Sequence, residues 1–336
     1  MARLRIGLVF DLLGSAPPEP DAPPDADVEF EPEATVAALE QAVRALGHDP
    51  VRLGSPRELL RAAGAAGRPD VDVAWNVAEG YGTRNREAWA PVLLEMLEIP
   101  SLGSDALTLS LSLDKAWAQA FLGAAGLPVP PRVVADSVAA LAGLALPGPF
   151  PLFVKPRWEG TAKGIAPSSR VADRAALARE VERITRVYRQ PALVEPFLPG
   201  AEYTVTVSGH APPRALPALQ RALEADSGIG LHAVERHGDA APAGGFRHQL
   251  PGALTPELEA RLAGLALRAF DVLACRDFAR VDLRLDAAGA PWLLEINPLP
   301  TFAPDGSFGI LAELMGRSHP DLLAEVLADA LRRLGW

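Results

Sequence analysis

The sequence predicts an α/β protein that opens on a doubly wound parallel sheet and continues into two further mixed modules. Three observations carry this. Strand and helix patterns alternate from the start of the chain, the order expected of βαβ units. The chain has 336 residues, more than one small core needs, which suits two or three modules. Its composition, 49% apolar and 22% charged, is that of ordinary globular material.

Residues 5–10 form a short apolar run that reads as a buried strand, and residues 33–46 repeat apolar positions at helical spacing before Gly47 closes them. Residues 50–53 predict a strand, 56–66 a helix with Pro56 in its first turn, and 71–75 another strand. Residues 86–98 read as a helix through Trp89, Val92, Leu93, Met96 and Leu97. Because Pro91 fits best in a first turn, its regular part should start a few residues late. Residues 15–32, rich in Pro, Asp and Glu, are expected to be a solvated loop rather than a lid.

Beyond Asp105 come helices at 106–111 and 115–125, and a Pro-rich turn at 126–131 into a new strand. A strand at 151–155, a helix at 173–188 capped by Asp173, and a strand at 192–195 complete this part. The last third should hold strands at 202–208, 278–285 and 291–296 and helices at 256–273, 309–315 and 320–334. Residues 224–245 read as a long polar loop, and loops of that length are usually functional or disordered. Module boundaries are expected at 1–104, 105–196 and 197–336.

Acidic residues outnumber basic ones, 42 to 32, for a formal charge of −10. A net-acidic chain without a basic block is a poor sequence-independent nucleic-acid binder. The single cysteine, Cys275, allows no internal disulfide and fits a reducing, cytoplasmic setting. No membrane segment is expected, because the apolar stretch 139–154 is broken by Pro147, Pro149 and Pro151. Only three of the 32 basic residues are lysines: Lys115, Lys155 and Lys163. In so arginine-rich a chain, these mark places where a compact ammonium is wanted.

The strongest motif runs from Leu152 to Gly164, where a strand delivers Lys155 directly into the small-residue loop Glu159-Gly160-Thr161-Ala162-Lys163-Gly164. Glycines let backbone N–H groups approach an anion, and a lysine supplies a point charge for phosphate oxygens. The order differs from G-x-x-x-x-G-K-[ST], since this lysine precedes its loop. A second motif pairs Arg280-Val-Asp282 with Glu295-Ile-Asn297 on two strands. Glu295 and Asn297 share a face at period two, and Asp282 could meet them from the neighbouring strand. Two carboxylates and an amide oxygen suit a hard ion such as Mg²⁺ completed by phosphate and water; pairing with Arg280 or Arg284 is the structural alternative. In the third motif, a strand ends at Glu195, turns through Pro196, Phe197, Leu198 and Pro199-Gly200, and reopens at Glu202. Such a connector could hold a base, with Glu202 on ribose hydroxyls, or could be a plain interdomain turn.

Taken in order, Ser112-Leu-Asp-Lys115, Lys155-Pro with the 159–164 loop, Glu195 to Glu202, Arg280-Val-Asp282 and Glu295-Ile-Asn297 resemble the ATP-grasp superfamily, most closely its D-alanine–D-alanine ligase branch. The match spans nearly the whole chain. It implies an ATP-grasp fold, a Rossmann-like N-terminal domain followed by central and C-terminal domains that sandwich ATP, and a homodimer. It implies that Lys115 and Lys155 contact phosphates, that the 159–164 loop closes over them, and that Glu195, Phe197 and Leu198 hold adenine. Glu202 would take the ribose, Asp282, Glu295 and Asn297 one or two Mg²⁺ (Mn²⁺ as the alternative), and Arg280 the charge of the transferring phosphoryl group or of the later tetrahedral oxyanion. The implied chemistry is a carboxylate phosphorylated by ATP and then attacked by an amine, which requires no protein nucleophile.

Four departures from the family pattern all touch amino-acid recognition. The usual glutamate after the first strand is absent, leaving Glu29 and Glu31 beyond the Pro-rich insertion. Residues 76–84 replace the family's usual loop, with Glu79 and Arg84 as candidate substrate contacts; Ser307 is the candidate for an acceptor carboxylate; the usual loop lysine is either replaced by Arg236 or absent. The expectation is therefore an ATP-dependent ligase of small amino-acid-like substrates. A true D-alanine–D-alanine ligase is one alternative, and a non-catalytic nucleotide-binding regulator another.

Overall fold

The computed structural model describes residues 3–15, 22–221, 223, 227–229 and 254–336. Three separate sheets organise it. The first is parallel, with strands β1 (Arg5–Val9), β2 (Asp49–Gly54), β3 (Val73–Asn76) and β4 (Ser101–Leu102) in the order β2-β1-β3-β4. Helices α1 (Glu33–Ala45), α2 (Pro56–Ala66) and α3 (Trp89–Met96) connect them. Ser55 starts α2 with a reciprocal capping box to Glu58, and Pro56 pre-sets the first turn. As the Pro91 argument requires, residues 86–88 form a 3₁₀ turn and the α-helix begins at Trp89.

The second sheet is antiparallel, in the order β5 (Val133–Ala135), β8 (Ala192–Pro196), β6 (Leu152–Pro156), β7 (Arg170–Val171). It is preceded by α4 (Ala106–Leu113) and α5 (Lys115–Ala124), and α6 (Arg174–Val187) packs against it. Asp173 caps α6 as the sequence predicts, accepting from the Ala176 N–H at 2.8 Å. The third sheet holds β9 (Glu202–Ser208), β10 (Arg214–Ala215), β11 (Leu219–Arg221), β12 (Phe278–Leu285) and β13 (Pro291–Asn297), backed by α7 (Pro256–Val272). Helices α8 (Ser307–Leu314) and α9 (His319–Arg333) close the chain. The last of these returns to the first sheet's core beside α1, with Phe278, Phe302 and Phe308 stacked there edge to face and tilted.

The strands β4, β7, β10 and β11, two or three residues each, escape sequence reading because so short a run has no period. A larger correction concerns residues 15–32. Residues 16–21 lie outside the described residues, but 22–32 are not a solvated loop: Asp25, Glu29 and Glu31 are all buried. Their partners lie far along the chain, where no local pattern reveals them. The predicted polar loop 224–245, with Arg236, lies almost wholly outside the described residues. Among those residues, no helix is long and apolar enough to cross a membrane.

Candidate active site

A cavity of about 520 Å³ opens between the three sheets, within the size range of small-molecule sites. All three lysines of the chain line it, and all three are buried. β6 delivers Lys155, whose Nζ lies 2.9 Å from Glu195 Oε2 on the adjacent strand β8. Lys115 opens α5, where Asp114 caps the helix, and its Nζ lies 3.0 Å from Glu295 Oε2. The same ammonium donates to the Glu159 carbonyl, joining the helix start to the glycine loop. Burial alone would lower the Lys155 pKa, but Glu195 and Glu295 outweigh it and raise it, so the ammonium stays charged.

Strands β12 and β13 set the second cluster. Their register places Asp282 opposite Glu295 and Arg280 opposite Asn297, with a bulge after Asp282. Asp282 Oδ2 accepts from Arg280 at 3.0 Å and its Oδ1 from the Thr204 hydroxyl at 2.7 Å. Burial raises the Glu295 pKa, but Lys115, Lys155 and Arg280 together hold it down at about 2. Asp282, Glu295 and Arg280 line the cavity. Asn297 is not among the lining residues, and its amide oxygen accepts from the Leu299 N–H at 2.9 Å.

This donor set fits a divalent metal that depends on its phosphate partner. Among the described residues no group of three or more His, Cys, Asp or Glu is poised as a self-sufficient metal site. Two oxygen-only side chains nevertheless face the cavity beside three cations, and the buried Arg280 Nε has no hydrogen-bond partner. An orphaned guanidinium nitrogen beside a cavity is what an anionic ligand would satisfy.

In the connector, Phe197, Leu198 and Glu202 line the cavity. The Phe197 ring lies under two guanidinium groups, Arg170 at 4.4 Å and Arg284 at 5.0 Å from its centroid. Glu202 is 3.2 Å from Arg284. The Glu195 side chain is engaged by Lys155 and by Gln119, whose amide donates at 2.6 Å, and its backbone is paired with Phe153 in the sheet, so it is not presented to a base as the sequence implied.

The glycine loop carries Thr161 and Ala162 at φ +47° and +56° and Gly164 at φ +75°. A Cβ on Gly164 would sit 2.4 Å from Pro156, so glycine is required there twice over. Glu29 reaches this loop from the first module. Its Oε1 accepts from the Gly160 N–H and from Arg86, each at 2.7 Å.

At the remaining end, Glu79, Glu31 and Ser307 line the cavity, Ser307 at the start of α8. Burial, reinforced by Glu87 and Glu29, pushes the Glu79 carboxyl well above its ordinary range. Burial likewise raises Glu31 to about 7, with Asp305 adding to it against a hydrogen bond from Thr301. Arg84 does not join them. Its guanidinium stacks at 4.5 Å from the Trp117 ring centroid and lies 3.7 Å from Asp114, outside the cavity lining. A spacing argument cannot see this alternative partner, because Trp117 and Trp158 come from other elements. Arg86, which by sequence is either a helix-start charge or a substrate contact, is 2% exposed among carboxylates, and Gln119, which has no motif of its own, escaped sequence reasoning.

Similarity to known proteins extends over most of the chain. A family model described as the D-ala D-ala ligase C-terminus matches residues 136–328. A D-alanine–D-alanine ligase of Marinobacter nauticus is 33% identical over 298 residues, covering 89% of this chain and 85% of the relative. An uncharacterized protein of Sinorhizobium fredii is 29% identical over 97% of this chain and 94% of its own length. Among solved structures, the D-alanine–D-alanine ligase of Bacillus anthracis complexed with ATP has a TM-score of 0.69 at 19% identity, covering 98% of both chains. The VanG D-Ala:D-Ser ligase of Enterococcus faecalis has a TM-score of 0.75 at 18% identity, covering 98% of this chain and all of that one. These two likenesses are of fold, the ATP-grasp fold.

Proposed function

The chain belongs to the D-alanine–D-alanine ligase family, and from that premise we propose that it joins two small amino-acid-like substrates through an acyl phosphate. It is an ADP-forming ATP-grasp ligase, a class that uses ATP and a divalent metal. In this reading a carboxylate oxygen of the first substrate attacks the γ-phosphorus of ATP, and ADP departs. The amine of the second then attacks the acyl carbon, loses a proton, and expels inorganic phosphate. The products are an amide, ADP and phosphate.

Each protein group has a task in that sequence. Lys115 and Lys155 neutralise phosphate oxygens, and the 159–164 loop covers them. Phe197 and Leu198 face the base, and Glu202 takes the ribose. Asp282 and Glu295, with Asn297 as a candidate outside the cavity lining, would hold the metal, Mg²⁺ or Mn²⁺. When bound, it supplies further neutralisation of the phosphate oxygens. Arg280 stabilises charge on the transferring group, using the Nε that has no partner. Glu79 and Ser307 belong to the amino-acid end, a carboxyl held well above its ordinary range and a hydroxyl at a helix start. The module division at 1–104, 105–196 and 197–336, supported by three separate sheets, belongs to the same reading, as do a homodimer and a cytoplasmic setting.

One observation carries the proposal: Asp282 and Glu295 face each other across two strands inside the cavity that Lys115, Lys155 and Arg280 also line. Intact, mutually neutralising groups of this kind argue against a non-catalytic regulator. D-alanine is the substrate carried in the relatives' names, while the departures at 11–16, 76–84 and 297–308 favour a different small acid. The test follows an oxygen atom. With the first substrate's carboxylate labelled with ¹⁸O, the label should appear in the released phosphate, whereas unlabelled phosphate alongside amide product would exclude the acyl phosphate.

A further inference from the structure

Lys163 is placed unlike the other two lysines. Its ammonium lies 2.9 Å from Glu159 Oε2 within its own loop and 3.4 Å from Glu29 Oε2 on the 22–32 strap. Behind Glu29 stands Arg86, 2.7 Å away and itself 3.6 Å from Glu159. The strap grips the loop at its other end as well, where Asp25 accepts the Gly164 N–H at 2.8 Å and the Tyr188 hydroxyl at 3.0 Å. Between these two anchors, Thr161 and Ala162 hold left-handed backbone conformations that side-chain-bearing residues rarely choose. Two local turns close across them, the Lys163 N–H donating to the Gly160 carbonyl at 2.9 Å and the Ile165 N–H to the Ala162 carbonyl at 3.0 Å. The ends of the loop are held from outside by carboxylates more than a hundred residues away, 131 for Gly160 to Glu29 and 139 for Gly164 to Asp25.

We propose that Lys163 and Glu29 form a positioning pair for ATP, clamping the glycine loop in its phosphate-covering shape while neither side chain touches the phosphates. This rests on the nucleotide site proposed above and assigns the 22–32 strap a role at that site. The rival arrangement has Lys163 as a direct phosphate ligand that Glu29 holds back. The two differ in sign. Neutralising Glu29 releases Lys163 to the phosphates and removes a nearby anion in the rival case, so ATP binds more tightly. In the clamp, the same change loosens the loop, so ATP binds more weakly.

The probe is the Mg²⁺ complex of a non-hydrolysable ATP analogue, titrated calorimetrically into the full chain. Glu29→Gln and Lys163→Met should each weaken binding about tenfold, a loss typical of a charge-assisted contact. The double variant should be no worse than either single one, because the two act as a unit. Lys163→Arg, which can still bridge two carboxylates, should return affinity to within about threefold of the parent. Under turnover, KM for ATP should rise while kcat holds. Tighter binding by Glu29→Gln, or a fall in kcat at unchanged KM, overturns the clamp. Should Lys163→Met fail to fold, the sign of the isosteric Glu29→Gln change decides alone. No analogue binding by the parent chain would instead overturn the nucleotide site, and this proposal with it.

Discussion

Replacing Glu31 by glutamine should stabilise the protein above neutral pH and leave it unchanged in mild acid. The carboxyl is 3% exposed, and the side chain that bonds it is a neutral hydroxyl: Thr301 donates to Oε2 at 3.1 Å. Burial and Asp305 raise it from an ordinary 4.5 to about 7. Below pH 4.5 the group is protonated whether the chain is folded or not, so it costs nothing. Between 4.5 and 7 the unfolded chain gives up its proton while the folded one retains it, and stability falls as pH rises. At about 1.4 kcal/mol per pH unit, the full cost above pH 7 is about 3 kcal/mol. Glutamine keeps an acceptor for Thr301 and removes the charge. With an unfolding entropy of about 2 cal/mol/K per residue over 336 residues, the gain corresponds to a rise in Tm of about 4 °C at pH 8. Circular-dichroism melts of both proteins at pH 4 and pH 8 measure it. An equal gap at the two pH values, or none at pH 8, would refute the reasoning.

The remaining predictions concern the site and the core. Lys155→Met leaves Glu195 buried without its cation, so the fold should lose about 3 kcal/mol in a urea titration along with ADP formation. Adding Glu195→Leu should restore stability but not turnover; recovered turnover would contradict the phosphate role of Lys155. Asp282→Asn and Glu295→Gln should each lower ADP formation at least about a hundredfold at saturating ATP, and near-parental rates would remove the metal assignment. Cys275 is 4% exposed, and burial pushes its thiol up to about 12. An aromatic disulfide reagent should therefore label it only after unfolding, and labelling within minutes in native buffer would contradict that burial.

What the sequence revealed, and what it hid, divides along contact distance. Asp173 and the late start of the helix containing Pro91 were legible because capping and proline geometry act within a few residues. Asp282 and Glu295 were legible from strand alternation, and the register pairs them directly. The three lysines were legible because an arginine-rich chain made them stand out, and all three line one cavity. The strap was hidden. Its acidic, proline-rich composition is that of a solvated loop, and only folding brings Asp25 and Glu29 onto backbone N–H groups of the glycine loop. Arg84 failed for the converse reason: the residue type suited a substrate carboxylate, but two tryptophans compete for its face. Phe302 and Phe308 lie in a loop and a short helix by local pattern, yet they pack into the core of a sheet formed two hundred residues earlier in the chain.

The central claim is that this cavity couples ATP cleavage to amide formation. Mass spectrometry of the purified chain with ATP, Mg²⁺ and a panel of D- and L-amino acids measures it directly. The account predicts ADP and, in equal amount, a product whose mass is the sum of two substrates less one water. ADP release without any ligated product, or no ADP above background across the panel, would contradict it.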